Sequence, residues 1–237
     1  MKHLICFDMD RVLVDHMSTW QYVYDRLEIS NEEAFNLYNQ GLLDEWDWLK
    51  MDIALMKGAY PDIDDDQLRS LCEGTPLMSG IKDCLDWIVS NGHEVAIISG
   101  GMQETARTIA CMYPSGKPWQ RRWGGIDRHR GCDSVFHVFT NGWLRRNDGG
   151  IDDFGRYQVQ MNGKGALVKM LQRRLGISKD CTISIGDSAG DIGMFEESGL
   201  SICFNPWDEK PVAIADLTIR SRDLLDVLEA IKNKITE

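Results

Sequence analysis

Apolar residues in this chain fall into two alternating textures. The runs Leu4 to Phe7, Glu94 to Ile98, Cys181 to Ile185, Leu200 to Phe204 and Leu217 to Ile219 lack the in-and-out alternation of a strand with one wet face, which is the pattern of strands buried on both sides. The first three end abruptly at Asp8, Ser99 and Gly186. Between the runs, Ile81 to Ser90 closed by Asn91-Gly92, Met102 to Met112, Gly165 to Leu175 stopped by Gly176, Ile192 to Glu197 and Leu224 to Ile231 carry the spacing and stop signals of helices. Strands separated by helices require right-handed crossovers and build a doubly wound parallel sheet, whose ligands lie beyond the carboxyl ends of the strands. The fold class is therefore α/β.

One stretch departs from this alternation. From Asp15 to about Gly74 the pattern is helical throughout, over Met17 to Leu27, Asn31 to Tyr38, Leu42 to Lys57 and Asp64 to Cys72, with Ser30, Asp44 and Asp62 near the starts and Gly41 or Gly58 as stops. The chain thus divides into a core of residues 1–14 and 76–237 and an inserted, small all-helical cap of residues 15–75. The cap leaves the sheet just after the first strand and returns before the second, which hangs it over one sheet edge as a lid. Further along, Ser134 to Thr140 and Trp143-Leu144 resemble strands, and Asn147-Asp148-Gly149-Gly150 supplies hairpin turn residues.

Length and charge narrow the functional classes. With 237 residues the chain can bury a full core, and its 37 acidic against 26 basic residues, a net charge of -11, argue against binding nucleic acid or an anionic membrane surface. No apolar run approaches a membrane span, and no charged-then-apolar leader follows Met1, so the expected setting is cytoplasmic. The seven cysteines are odd in number and form no C-x-x-C pair; they read as reduced packing residues. His3, His93, His129 and His137 share no metal-ligand spacing.

Four polar clusters carry the chemistry: Asp8-Met9-Asp10, Ser99-Gly100-Gly101, Lys164 within Asn162-Gly163-Lys164-Gly165, and Gly186-Asp187-Ser188-Ala189-Gly190-Asp191. Each by itself fits a turn or a helix cap. Together, at strand ends, they form a phosphate-handling set. An aspartate carboxylate can attack phosphorus, and a second carboxyl can protonate the leaving oxygen and then deprotonate water. Mg²⁺, a hard cation that takes oxygen ligands, can cancel the repulsion between Asp8 and phosphate with Asp187 as a further ligand, and Asp191 can act from behind it. Lys164 offsets negative charge, while the Ser99 hydroxyl and Gly100 amide can donate to phosphate oxygens.

These four segments, extended as Phe7-Asp8-Met9-Asp10-Arg11-Val12-Leu13, Ile98-Ser99-Gly100-Gly101, Gly163-Lys164-Gly165 and Gly186 to Phe195, resemble the four motifs of the haloacid dehalogenase superfamily, nearest its phosphoserine phosphatase-like branch. The resemblance spans Lys2 to Val14 and Pro76 to Ile231. It implies a Rossmann-like catalytic core and a Mg²⁺-dependent hydrolase of small phosphomonoesters. In that scheme Asp8 is the nucleophile, Asp10 the acid/base with its backbone carbonyl on the metal, Ser99 and Lys164 hold phosphate, and Asp187 binds Mg²⁺.

Several positions depart from the branch. Arg11 replaces the small residue usual after Asp10, Gly190 stands where an asparagine is general, and Met17 lies near the position of a substrate-binding glutamate, with Asp15 or His16 as substitutes. Met17 and Trp46 are the candidates for substrate discrimination, within a group, Met17, Trp20, Trp46, Trp48 and Met51, that equally suits packing of a helical bundle. Tyr113 to Asp133 carries Lys117, Arg121, Arg122, Arg128 and Arg130 with Trp119 and Trp123, a surface loop or a grip for a second anionic group. The four polar clusters at the strand ends also suit a phosphomutase or, in a different class, a phospho-accepting regulatory module.

Overall fold

In a computed structural model the described residues are 1–115 and 134–236. Strands β1 (Leu4–Phe7), β2 (Glu94–Met102), β3 (His137–Asn141), β4 (Thr182–Gly186), β5 (Leu200–Phe204) and β6 (Leu217–Ile219) form one sheet in the order β3-β2-β1-β4-β5-β6. Every neighbouring pair is parallel. From β1 the chain fills one side of the sheet and then crosses to the other, so the point where strand order reverses lies at β1, the position where such sheets bind ligands.

Why β1 is an unbroken apolar run follows from its two neighbours above and below. Ile5 and Phe7 enter a core with α5 (Ile81–Ser90), α6 (Gln103–Cys111) and α10 (Leu224–Thr236), through Ile81, Leu85, Ala106, Val227 and Ile231. Leu4 and Cys6 point to the opposite face and pack with Val168 and Leu171 of α7 (Lys164–Leu175) and Met194 of α8 (Ile192–Glu196). Alternate side chains on a strand face opposite ways, so burial on both faces erases the alternation. The short α9 (Glu209–Val212) lies between β5 and β6.

Four helices stand between β1 and α5: α1 (Thr19–Leu27), α2 (Glu32–Asn39), α3 (Glu45–Ala59) and α4 (Asp65–Cys72). Their N-termini are set by Ser18, Asn31, Asp44 and Asp64, the last in a capping box with Gln67. Asp44 is the predicted cap; Ser30 and Asp62 give way to residues one and two places on, and Gly58 is absorbed into α3 instead of ending it. These helices do not close a core of their own. Val23, Leu27, Ile53, Met56 and Leu68 pack with Met102 at the end of β2 and with Trp143 and Ile151 from the segment after β3. So few residues bury too little apolar surface alone, and the segment after β3 completes the core.

That segment contains the predicted turn. Arg146 N–H donates to Gly150 O at 2.8 Å and Gly149 N–H to Arg146 O at 3.1 Å, while Trp143-Leu144 lies beside isolated antiparallel bridges and not in a strand. Polar ties reinforce the shared core: Trp143 Nε1 donates to Asp65 Oδ1 at 2.8 Å, Arg69 Nε to Glu104 Oε1 at 3.0 Å, and Lys57 pairs with Asp153. Among the described cysteines, Cys6, Cys72, Cys84, Cys181 and Cys203 are free thiols as expected, but Cys111 is disulfide-bonded, which corrects the uniformly reduced reading. No helix among the described residues is long and apolar enough to cross a membrane.

Asp52 on α3 is buried beside Asn31, whose side chain donates to it, and burial pushes its carboxyl up to about 7 from 3.8. An acid whose pKa rises on folding contributes stability that is full below the unfolded value and lost as pH climbs through the folded one. Asp52→Asn should therefore raise the thermal midpoint, relative to the parent chain, more at pH 8 than at pH 5, because the parent loses at most about 1.4 kcal/mol for each pH unit climbed between the two values. Melting curves at the two pH values decide it: an equal offset at both would show that Asp52 does not carry this penalty.

Candidate active site

Parallel register brings the predicted clusters to one edge. Phe7 pairs with Ile97 on one side and Ile185 on the other, and Asp8 N–H donates to Ile185 O at 2.9 Å. Asp8 and Asp10 therefore emerge from β1 level with Ser99 within β2 and with Asp187 just past β4.

Asp8, Asp187 and Asp191 are buried, with carboxylate oxygens all within 4.8 Å of one another. Lys164, the first residue of α7, places Nζ 2.7 Å from Asp191 Oδ1 and 2.9 Å from Asp8 Oδ1. The other Asp191 oxygen accepts the backbone N–H groups of Asp187 at 2.9 Å and Ser188 at 3.1 Å. Gly186 is required here, because a Cβ on it would overlap the Asp191 carboxyl group. Arg11 Nε donates to Asp187 Oδ2 at 2.9 Å.

The charges do not balance. Burial pushes the Asp8 carboxyl up against the pull of Lys164, and burial, with the charges of Asp191 and Asp8, pushes Asp187 up to about 9 despite Lys164 and Arg11. Burial opposes the Lys164 charge too, but Asp191 and Asp8 overcome it and raise its pKa. Lysine and arginine together leave the buried acids short of positive charge. Asp8 Oδ1, although near Lys164 Nζ, is buried without a hydrogen bond of good geometry. An under-satisfied oxygen among clustered carboxylates fits a hard divalent cation such as Mg²⁺.

Asp10 stands apart from that trio. Thr19, at the start of α1, donates its N–H to Asp10 Oδ1 at 2.9 Å and approaches Oδ2 with its hydroxyl at 3.4 Å, while Thr19 Oγ1 accepts Met102 N–H at 2.8 Å. The backbone of Gly101 passes so close that a Cβ there would lie 2.6 Å from Asp10 Oδ2 and 2.7 Å from Thr19 Oγ1. Burial and the Asp8 charge push Asp10 up to about 7. This suits a group that must hold and release a proton.

Ser99 and Gly100 are placed differently from expectation in one respect. The sequence pattern predicts a strand-to-helix junction at these residues, but β2 continues through them to Met102 with a register shift between Ser99 and Met102, and α6 starts only at Gln103. Ser99 Oγ, buried, accepts Gly101 N–H at 3.1 Å, and Gly100 O accepts Trp20 Nε1 at 3.0 Å.

Helix α1 reaches this edge through Trp20, one of the candidate pocket residues, and through Thr19, which sequence reasoning missed, as it missed Glu45 of α3. Glu45 Oε2 accepts Met161 N–H at 2.8 Å and Tyr157 OH at 3.1 Å, and Met161 opens the turn that leads into Lys164. The only signal for Thr19 was its position one residue past a helix-capping Ser18; nothing local marked Glu45, which meets residues more than a hundred places away. Met17 and Trp46 are both exposed; Trp46 sits edge-on to Tyr157 at 5.6 Å, and the Trp48 ring lies tilted against Tyr38 with centres 4.8 Å apart, a packing role. The basic and aromatic cluster from Lys117 to Arg130, with His129, lies outside the described residues.

The chain is similar in sequence and in fold to known proteins. The profile of the haloacid dehalogenase-like hydrolases matches residues 159–231. The chain is 25% identical over 238 residues to a phosphoserine phosphatase of Methanocaldococcus jannaschii, covering 98% of each, and 27% identical over 191 residues to one of Wolinella succinogenes, covering 80% of each. Among solved structures, a phosphoserine phosphatase captured as a phospho-aspartyl intermediate analogue superposes with a TM-score of 0.72 at 23% identity, covering 97% of this chain and 98% of that one. A substrate-bound phosphoserine phosphatase gives 0.73 at 22% identity over the same shares.

A ligand that binds only the folded chain stabilises it, by about 2.7 kcal/mol at a concentration a hundredfold above its dissociation constant. Mg²⁺ should thus raise the thermal midpoint, a chelator should reverse the rise, and Asp187→Ala should remove the response. A midpoint indifferent to Mg²⁺ in the unsubstituted chain would exclude the metal from this cluster.

Proposed function

We propose that this chain, a haloacid dehalogenase-like protein similar to the phosphoserine phosphatases, is a Mg²⁺-dependent hydrolase of a small phosphomonoester that works through an aspartyl-phosphate. The observation that carries the reading is the position of Asp8, a buried carboxylate at the point where strand order reverses, with Lys164 Nζ 2.9 Å from it. A carboxylate held there by a cation and otherwise short of donors is suited to attack an electrophile.

Asp8 attacks phosphorus as the bond to the leaving oxygen breaks, and Asp10, protonated near neutral pH, gives that oxygen its proton. The resulting carboxylate of Asp10 then takes a proton from water as the water attacks the aspartyl-phosphate, releasing inorganic phosphate and restoring Asp8. Thr19 aims Asp10 through its N–H at 2.9 Å. Ser99, the Gly100 amide and Lys164 hold the phosphoryl oxygens. Asp8, the Asp10 carbonyl and Asp187 would hold Mg²⁺, which supplies the positive charge that lets anionic nucleophile and anionic phosphate approach. Asp191, both of whose oxygens are already engaged, anchors Lys164 and the Asp187 loop.

Residues 15–75 act as a cap that shields this chemistry and contacts the leaving group. The names of the relatives make phosphoserine the first substrate to assay, and Met17 and Gly190 are reasons to assay other phosphorylated metabolites beside it. Coverage of the sheet edge by α1 and α3 weighs against a module that must receive phosphate from a partner kinase.

Asp8→Asn should abolish turnover of any phosphomonoester, and Asp10→Asn should slow it by roughly 10²–10⁴-fold, most with poor leaving groups. Steady-state assays with phosphoserine and an aryl phosphate check both; full activity in Asp8→Asn would falsify the mechanism. Lys164→Ala should weaken phosphate binding while the fold persists.

Specificity gives a second test. Substituting Met17 or Trp46 should alter the ranking among phosphorylated metabolites more than the rate on a small aryl phosphate. An unchanged ranking in both variants would remove these residues from the specificity site.

A further inference from the structure

Arg11 has no part in the chemistry above, yet it is held in place from several directions. Its φ is 61°, in the left-handed region that a side chain other than glycine's enters at an energetic penalty, and Asn205, just past β5, has φ 48°. Such strain persists only where the surroundings over-determine it. Here the two residues lock each other: Arg11 Nη2 donates to Asn205 O at 2.9 Å, and Asn205 Nδ2 donates to Arg11 O at 3.2 Å. The guanidinium lies 5.2 Å from the Trp207 ring centre, and Trp207 N–H donates to Asp187 O at 2.8 Å. Everything in this arrangement converges on one contact, Arg11 Nε on Asp187 Oδ2 at 2.9 Å.

That contact fixes a permanent positive charge against a carboxylate that the proposed function assigns to Mg²⁺, so the inference rests on that reading. With the carboxylates deprotonated, as metal binding requires, the three acids Asp8, Asp187 and Asp191 face two side-chain cations, Lys164 and Arg11. The site is then singly negative before Mg²⁺ and singly positive after it. Without Arg11 it would be doubly negative before and neutral after. The guanidinium therefore repels the ion directly and leaves the loaded site with a net attraction for a phosphate dianion.

We propose that Arg11 is a positioning residue that weakens Mg²⁺ binding and, once the ion is bound, strengthens phosphate binding. A fixed charge adds the same term to Mg²⁺ binding with and without phosphate, so Arg11 shifts the two affinities in opposite directions and leaves the attraction between the two ligands in place. Arg11 also keeps one Asp187 oxygen occupied, leaving the other for the ion.

The test uses the full chain with Arg11→Gln, which removes the charge, and Arg11→Lys, which keeps it. Mg²⁺ affinity without phosphate and the affinity for inorganic phosphate at saturating Mg²⁺ are measured by titration calorimetry, and thermal midpoints are recorded alongside. Arg11→Gln should bind Mg²⁺ at least threefold more tightly than the unsubstituted chain and phosphate at least threefold more weakly, whereas Arg11→Lys should remain within twofold on both counts. In the metal-free state Arg11→Gln should melt lower, and its midpoint should rise further on adding Mg²⁺. A merely structural Arg11 would move Gln and Lys variants together. Unchanged or weaker Mg²⁺ binding in Arg11→Gln would overturn the inference while leaving the phosphatase reading intact; no Mg²⁺ binding by the unsubstituted chain would overturn both. If Arg11→Gln does not fold, Arg11→Ser takes its place with the same outcomes.

Discussion

Lys164 Nζ lies between Asp8 and Asp191, 2.9 and 2.7 Å from their carboxylate oxygens, and it is the chief offset to the buried charges on either side. Removing one partner from such a cluster leaves an uncompensated buried charge, typically a penalty of about 3–5 kcal/mol. The surrounding fold serves this requirement. Lys164 opens α7, the turn Met161–Gly163 delivers it, and Asp191 is drawn in beneath Gly186 to hold both the lysine and the start of its own loop. A sheet of parallel strands ending at one edge supplies acids from β1 and β4 and the lysine from a helix on one face, and no shorter stretch of chain could bring them together.

The helices that cover this edge are part of the same construction. They borrow Met102, Trp143 and Ile151 to complete their core, and they return Thr19 to Asp10, Trp20 to Gly100 and Glu45 to the turn before Lys164. Glu45 contacts Met161 and Tyr157 and so ties α3 to the turn that carries the lysine. The Asp10 carboxyl is likewise shared: it belongs to the loop after β1, but its orientation comes from Thr19 of α1.

Sequence pattern alone was enough to read the parallel α/β core, the inserted helices, and the convergence of Asp8, Asp187, Asp191 and Lys164, because burial on both faces and strand-end placement leave a local trace. Ile81–Ser90 and Leu200–Phe204 were legible to the residue. The extension of β2 through Ser99 to Met102 was not, since glycines that signal a turn also permit a strand whose backbone presses against Asp10 and Thr19. Nor was the Cys111 disulfide, which depends on what approaches it in space.

What only the tertiary structure decided was who holds the acids. Arg11 on Asp187, Thr19 on Asp10 and Glu45 across to Met161 join residues 176, 9 and 116 positions apart, and each is a polar residue whose local context is that of any loop or helix start. The identities of strand-end residues are constrained by chemistry wherever they occur, so they can be read one at a time. Partnership is constrained by distance, and distance exists only once the chain has folded.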